Sequence, residues 1–194
     1  MYEVDDNRYC YPNSTVLKNK ADLRTQDELA KFETLMITQR SDEPLPVARH
    51  FTVKHYRAVH THLFQDVYTW AGRLRTVRIS KAGSMFCYPE NIGEQLRLLF
   101  ASLSLENEFR DLEQESFAQK AAHFLADLNA VHPFREGNGR TQTVYLSVIA
   151  NQAGHPLDLE RMHPNKMMSA MIASFHGDEE PLVAVILELM RRRS

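Results

Sequence analysis

Side chains suited to chemistry are concentrated in nine consecutive residues, 132–140, which run His-Pro-Phe-Arg-Glu-Gly-Asn-Gly-Arg. Gly137 and Gly139 let the backbone approach a ligand closely, and the segment leads into a predicted helix whose first N–H groups could bind an anion. Arg140 adds a permanently charged fork that matches phosphate oxygens, and Asn138 can donate an amide N–H to the same group. The segment therefore predicts a phosphate-binding loop.

The same segment carries a carboxylate and an imidazole. Glu136 alone would repel a phosphate, so its presence favours a Mg²⁺ ion held between the carboxylate and phosphate oxygens. His132 is largely neutral at cellular pH and could take a proton from an incoming hydroxyl as a general base. Phe134 is expected to point into the core and anchor the loop, whereas Arg135 is expected to be solvated. Each feature is common by itself, so the prediction rests on their conjunction.

This segment resembles the signature of Fic-domain proteins, HPFx(D/E)GNGR. The upstream stretch 66–83, DVYTWAGRLRTVRISKAG, also resembles the segment around that family's hairpin. The resemblance covers most of the chain and implies a helical Fic fold that transfers AMP from ATP, the co-substrate, onto a Tyr, Ser or Thr hydroxyl of a target protein. It also implies roles for the loop residues: base for His132, Mg²⁺ ligand for Glu136, anion cradle for Gly137, Asn138 and Gly139, and phosphate contact for Arg140.

The resemblance has implications for partners and location as well. The run 16–20, VLKNK, is similar to Fic modules of bacterial effectors delivered by type IV secretion. Such a toxin-like protein is expected in the bacterial cytoplasm and, after delivery, in the host-cell cytosol. The family's hairpin acts as a flap that positions the target, and small GTPases are among the target candidates. A small antitoxin-like protein acting in trans is expected as its inhibitor.

Composition describes an ordinary globular chain. The 194 residues are 43% hydrophobic and carry a formal charge of −2, which fits one domain over 1–194 and argues against a nucleic-acid coat protein. Cys10 and Cys87 are far apart, without zinc spacing, so neither a disulfide framework nor a structural zinc is indicated. The first twenty residues do not resemble an export signal, and no apolar run reaches the ~18 residues of a membrane span. The protein is therefore expected to be neither exported by a cleaved signal nor embedded in a membrane.

Apolar residues recur at three-to-four spacing along most of the chain, which predicts an all-α, mostly helical domain. Seven stretches show this pattern: 29–36, 59–67, 92–103, 117–128, 144–149, 167–171 and 182–189. Residues 1–20 are expected to form an N-terminal arm with frayed structure. Residues 74–88 alternate in polarity around an Ala-Gly-Ser turn, which predicts a single β-hairpin.

The hairpin is the predicted docking flap for a target. Its candidate docking residues are Ile79, Ser80, Lys81, Ala82, Gly83, Ser84, Met85 and Phe86. Arg75, Arg78 and Lys81 line this segment, either to attract an acidic partner or to discourage aggregation at an open strand edge.

Other clusters favour structural roles. His55, His60 and His62 do not share a helix face at metal-binding spacing, so surface or partly buried histidines are expected. The spacing of Met167, Met168 and Met171 favours core packing. The run Arg191–Arg193 is expected to oppose the dipole of the last helix.

Alternative functions remain open on these residues. The same cradle could accept another donor, giving UMP, phosphocholine or phosphate transfer, because fold alone does not determine chemistry. A catalytically quiet module could bind nucleotide and use the hairpin edge to bind a partner strand. Nuclease activity is a poorer hypothesis, because no second carboxylate accompanies Glu136 and the chain is not basic.

Thr143 departs from the family pattern, which has a second arginine three positions after Arg140. A charge-assisted phosphate contact contributes about 1.5–3 kcal/mol. Thr143→Arg is therefore expected to tighten ATP binding by about tenfold or more, measured by calorimetric titration. The uncharged Thr143→Gln variant serves as the control, and unchanged affinity in Thr143→Arg would contradict the prediction.

Residues 102–107, SLSLEN, match the [S/T]xxxE[G/N] pattern of the family's self-inhibiting helices. Those helices lie at the ends of family members, whereas this segment lies mid-chain with an ordinary packed face, so we interpret the match as chance. Glu106→Gly is expected to leave ATP binding and transfer activity unchanged in assays of both. Strong activation of the variant would show that the restraint is internal.

Overall fold

The computed structural model of the chain describes residues 8–81 and 84–190, with Ser84 described by its backbone only. Seven α-helices and one pair of short strands occur in these ranges, which confirms the mostly helical class. The helices are α1 (Gln26–Ser41), α2 (Val53–Phe64), α3 (Ile92–Leu105), α4 (Gln114–Val131), α5 (Asn138–Gln152), α6 (Pro164–Phe175) and α7 (Glu180–Leu189). The flap residues Ala82 and Gly83 and the run Arg191–Arg193 lie outside the described residues.

The chain divides into two compact units. The first contains 1–93 and 133–141, and the second contains 94–132 and 142–194. The loop residues from Pro133 to Arg140 thus belong to the first unit, and His132 belongs to the second. One domain over 1–194 remains a prediction.

In the first unit, residues 8–20 of the N-terminal arm make specific contacts, so the expectation of fraying is wrong for these residues. Cys10 and Leu17 form an antiparallel bridge. Tyr9 packs edge-on against Trp70, with ring centroids 5.7 Å apart. The Lys20 N–H donates to the Val67 carbonyl at 2.9 Å. Burial of apolar side chains and pairing of backbone groups together hold the arm in place.

Helices α1 and α2 begin at threonine caps. Thr25 accepts the Glu28 N–H while its hydroxyl donates to the Glu28 carboxylate, and Thr52 accepts the N–H of His55. Such caps satisfy donors that the first turn leaves unpaired. Helix α2 buries a face at three-to-four spacing, formed by His55, Tyr56, Val59, His60, Leu63 and Phe64.

The hairpin is much shorter than the predicted range 74–88. Strand β1 (Ser80–Lys81) pairs antiparallel with β2 (Ser84–Met85). Arg75 explains part of the difference, because its buried guanidinium donates to the carbonyls of Val77 and Cys87, which strand pairing would otherwise have to satisfy. Arg75 is therefore a structural residue, and its predicted place on the docking surface is wrong.

The second unit is built around α4, which packs against α6 and α7. Its core includes T-shaped contacts of Phe100 with Phe124 and with Tyr145. On α6, Met167 is buried but Met168 is half exposed, so the methionine cluster is only partly core. In the described ranges, no helix combines the length and the apolar character that crossing a bilayer requires.

Several residues in the connection from α3 to α4 adopt left-handed backbone conformations. Asn107, Glu108, Phe109 and Asp111 all have positive φ. The buried Glu108 carboxylate accepts hydrogen bonds from Arg110 at 2.7 Å and from Gln152, near the end of α5, at 2.8 Å. These bonds compensate for the cost of a buried carboxylate and tie the turn to α5 within this unit.

Candidate active site

His132 ends α4 in the second unit. Its backbone adopts the left-handed conformation, with φ 46° and ψ 62°, and its N–H donates to the Leu128 carbonyl at 3.1 Å. Ring Nδ1 lies 3.1 Å from the Asn129 carbonyl oxygen. Because a carbonyl can only accept, Nδ1 carries the proton, and Nε2 is the basic nitrogen of the neutral ring. The hydrogen bond therefore selects the tautomer in which Nε2 could accept a proton.

In the first unit, the loop after Pro133 is closed by Asn138. Its Oδ1 accepts the Phe134 N–H at 2.9 Å, and its Nδ2 donates to the Phe134 carbonyl at 2.8 Å. Asn138 and Phe134 are both completely buried. The Asn138 amide, predicted to meet phosphate, is instead engaged with the loop's own backbone.

Gly137 is required at its position for two physical reasons. Its φ is +81°, a conformation that side chains rarely adopt, and a Cβ there would lie 2.2 Å from the Phe64 ring. Its N–H, predicted to face an anion, donates instead to the Glu136 carboxylate at 2.9 Å, and its carbonyl accepts the Thr141 N–H at 3.0 Å. The loop therefore packs directly on α2 and turns sharply into α5.

At the start of α5, three backbone N–H groups lie outside the helical hydrogen bonds. The Thr141 N–H is the first to bond back to Gly137, so the N–H groups of Asn138, Gly139 and Arg140 precede the helical ladder. A Cβ at Gly139 would meet nothing within 4 Å, so space is open beside that backbone. Backbone donors at a helix N-terminus favour a negatively charged ligand.

His60 supports this loop from α2. Its Nδ1 accepts the Gly72 N–H at 2.9 Å, so Nε2 carries the proton and donates to the Glu136 carbonyl at 3.0 Å. Its ring lies against Phe134, with centroids 3.8 Å apart. Burial lowers the pKa of His60 to about 3, so the ring is neutral at physiological pH. The expectation of a surface or partly buried histidine is wrong here, because the ring has no exposed surface.

Arg140 is held by a chain of polar contacts. Its Nη1 donates to Glu33 Oε2 at 2.7 Å, and Tyr68 donates its hydroxyl to Glu33 Oε1 at 2.7 Å. Burial alone would lower the pKa of Arg140, but the Glu33 and Glu136 carboxylates outweigh it and the net shift is upward. Burial and Glu33 raise the pKa of Tyr68, which keeps its phenol protonated. Arg140 therefore remains a cation.

The carboxylate of Glu136 has the chemistry of a magnesium ligand. Its side chain is 31% exposed, and its contact with Arg140 is long, at 3.4 Å. Among the described residues, no group of three or more His, Cys, Asp or Glu side chains could hold a metal ion. A single carboxylate fits Mg²⁺ that is shared with phosphate oxygens, the usual mode for nucleotide-bound magnesium.

The predicted flap residues differ in exposure. Ile79 and Phe86 are buried, Ser80 is half-buried, and Lys81 and Met85 are exposed. Among the flap residues whose side chains the structure describes, Lys81 and Met85 are the most accessible to a partner. Arg135, expected to be solvated, is buried, and its guanidinium donates to the Cys10 sulfur at 3.8 Å.

Sequence reasoning missed Glu33, Tyr68 and His60 as supports of the loop. Their partners are 107, 35 and 76 residues away in the chain, so no local pattern points to them. One signal was available for His60, because its position within the apolar face of α2 indicated burial.

A sequence model of the Fic/DOC family matches residues 50–150. A protein of Sinorhizobium fredii named probable protein adenylyltransferase y4lH is 45% identical over 190 residues, covering 97% of this chain and 98% of its own.

Two solved structures are similar as well. The N-terminal FIC domain of the VirB-translocated effector Bep8 from Bartonella sp. 1-1C has a TM-score of 0.88 and 25% identity, covering 95% of this chain and 94% of that one. The N-terminal Fic domain of a VirB-translocated Bep effector protein from Bartonella quintana, with bound ADP, has a TM-score of 0.84 and 26% identity, covering 94% of each chain.

A helical fold in which a histidine precedes a glycine-rich loop at a helix N-terminus is typical of enzymes that act on anionic substrates. The family match and the similarity over nearly the whole chain make the assignment specific. The chain belongs to the Fic/DOC family.

The low pKa of His60 predicts a particular pH dependence of stability. Because its pKa is about 3 when folded and near 6.5 when unfolded, unfolding takes up a proton between these values. The stability that His60 contributes is present above pH 6.5 and is lost as the pH falls toward 3. The difference in unfolding free energy between the wild type and His60→Gln is therefore expected to shrink by up to about 1.4 kcal/mol per pH unit in this window.

Urea unfolding of both proteins across this pH range measures the difference. His123 on α4 provides a control of opposite sign, because the Glu179 side chain raises its pKa. The stability that His123 contributes is lost as the pH rises, so the deficit of His123→Gln is expected to grow with acidity in the histidine range. A pH-independent deficit in His60→Gln would contradict the prediction.

Proposed function

We propose that this protein is a protein adenylyltransferase that transfers AMP from ATP onto a Tyr, Ser or Thr hydroxyl of a target protein. The observation that carries the proposal is the bond from His132 Nδ1 to the Asn129 carbonyl, which leaves Nε2 as the proton-accepting nitrogen of the residue directly before the loop. The 45% identity to a probable protein adenylyltransferase and the ADP held by a similar Fic domain support the same activity.

In this reaction, His132 Nε2 accepts the proton of the target hydroxyl as its oxygen attacks the α-phosphorus of ATP. A new P–O bond forms, the bond to the bridging oxygen of the β-phosphate breaks, and pyrophosphate leaves with the electron pair. The residues need only position the reactants and balance charge, because phosphoryl-type transfer requires little covalent help.

Each loop residue has a distinct task in the proposal. The N–H groups of Gly139 and Arg140 and the backbone N–H of Asn138 bind phosphate oxygens, and the Arg140 guanidinium adds charge. Glu136 holds Mg²⁺, which neutralises phosphate charge when bound. Phe134 and Gly137 keep the loop in place by packing and by backbone conformation.

The target is proposed to bind along the flap, where Lys81 and Met85 offer exposed side chains. Small GTPases are candidates, and inhibition by a small antitoxin-like protein in trans belongs to the same proposal. The similarity to VirB-translocated effectors supports a place in the bacterial cytoplasm with delivery into a host cell.

Removal of the base is expected to abolish transfer. With α-labelled ATP, Mg²⁺ and cell lysate, His132→Ala should label proteins at least about 100-fold more slowly than the wild type, which is the lower range for general-base catalysis. His123→Ala is a matched control, since His123 lies on the same helix but is exposed. Undiminished labelling by His132→Ala would contradict the proposal.

The same assay discriminates the alternatives. Transfer from labelled UTP or CDP-choline in preference to ATP would favour another donor, and transfer of the γ-phosphate would indicate a kinase. Nucleotide binding without any transfer would favour the catalytically quiet binding module. Mass spectrometry of labelled lysate proteins would identify the target and the modified residue.

A further inference from the structure

Glu33 is a buried carboxylate on a helix that is otherwise largely exposed. Its side chain is 12% exposed, whereas Leu29 is the only fully buried residue that α1 contributes. Burying a carboxylate is costly unless both oxygens find partners. Here both do, because Oε1 accepts the Tyr68 hydroxyl and Oε2 accepts Nη1 of Arg140.

The two carboxylates beside Arg140 are not equivalent. Glu33 makes the short contact, at 2.7 Å, whereas the contact with Glu136 measures 3.4 Å. Glu136 and Arg140 are four residues apart on adjoining loop and helix, so nothing local prevents them from pairing closely. The guanidinium of Arg140 thus pairs with Glu33, and its interaction with the Glu136 carboxylate is weaker.

Other contacts fix the guanidinium further. Its carbon lies 4.9 Å from the centroid of the Phe64 ring, so Arg140 is held from one side by an aromatic face and from another by Glu33. The Arg140 side chain is nevertheless 38% exposed, so part of it reaches solvent. A held guanidinium with an exposed portion can meet a ligand without first losing conformational freedom.

We propose that Glu33, itself oriented by Tyr68, is a positioning residue that fixes Arg140 toward nucleotide phosphates and keeps it from pairing closely with Glu136. The proposal rests on the proposed function, in which Arg140 contacts phosphate and Glu136 holds Mg²⁺. Without Glu33, Arg140 would pair with Glu136, and both phosphate binding and metal binding would weaken together.

The experiment compares Glu33→Ala, Glu33→Gln and the control Glu28→Ala. Glu28 lies on the same helix and supports only its N-terminal cap, so its loss tests general weakening of α1. Glu33→Gln keeps an oxygen for Arg140 and an amide that can donate to the Tyr68 hydroxyl, so it should restore the geometry without the charge. The probes are a non-hydrolysable ATP analogue and Mg²⁺, titrated separately at a fixed level of the other.

Glu33→Ala is expected to raise the Kd for the analogue by about tenfold and to raise the Mg²⁺ concentration for half-saturation. Glu33→Gln should stay within about threefold of the wild type, and Glu28→Ala should bind normally even if it melts earlier. In steady-state transfer assays, the loss in Glu33→Ala should appear mainly in KM for ATP. Unchanged or tighter binding by Glu33→Ala, or an equal loss in Glu33→Gln, would overturn the proposal.

Two further measurements separate this proposal from the proposed function. In the nucleotide-free protein, the Nε–H signal of Arg140 in NMR spectra should be sharp in the wild type and broadened in Glu33→Ala. If Arg140→Ala weakens analogue binding but Glu33→Ala does not, only the positioning role fails. If Arg140→Ala binds the analogue normally, the phosphate contact of the proposed function fails, and the positioning role fails with it.

Discussion

A loop that offers its N–H groups to an anion cannot also use them to hold itself together. The segment after Pro133 meets this constraint with side chains. Asn138 bonds to both backbone groups of Phe134, His60 binds the Glu136 carbonyl, and the Glu136 carboxylate accepts the Gly137 N–H. None of these bonds uses the first N–H groups of α5. Those groups lie outside the helical ladder, as in any helix, and stay available to an anion.

Aromatic packing beneath the loop follows from the same constraint. The His60 ring packs against both Phe134 and Phe64, with ring centroids 3.8 Å and 4.6 Å away, respectively. Gly137 fits over Phe64 only because it lacks a Cβ. A charged imidazole would be poorly solvated in this apolar position, which is why burial lowers the pKa of His60, and it would also lose the hydrogen bond from Gly72.

Arg140 is the cation at the start of α5, and it contacts two carboxylates. Arg140 lies between Glu33 and Glu136, and the shorter contact with Glu33 leaves Glu136 less engaged. Because Thr143 supplies no second cation, the charge that the loop offers to a polyphosphate depends on how Arg140 is oriented. Glu33 on α1 sets the orientation of the Arg140 guanidinium, although the sequence of α1 contains no recognisable functional motif.

The order of residues in 132–140 was sufficient to identify the family, because residues that are consecutive in the chain must lie close together whatever the rest of the fold does. The helices were predictable for a related reason, since apolar periodicity reports one buried face. The hairpin was overestimated because a buried arginine, Arg75, satisfies carbonyls that strand pairing was expected to satisfy.

Only the tertiary structure decided which side chains support that chemistry. Asn138 hydrogen-bonds to the backbone of its own loop, the buried and neutral His60 donates to the Glu136 carbonyl, and Glu33 accepts a hydrogen bond from Arg140. None of these roles follows from residue type. The partners of His60 and Glu33 are 76 and 107 residues away. Hydrogen bonds and ion pairs act over a few ångströms, so such roles exist only once folding has brought these segments together.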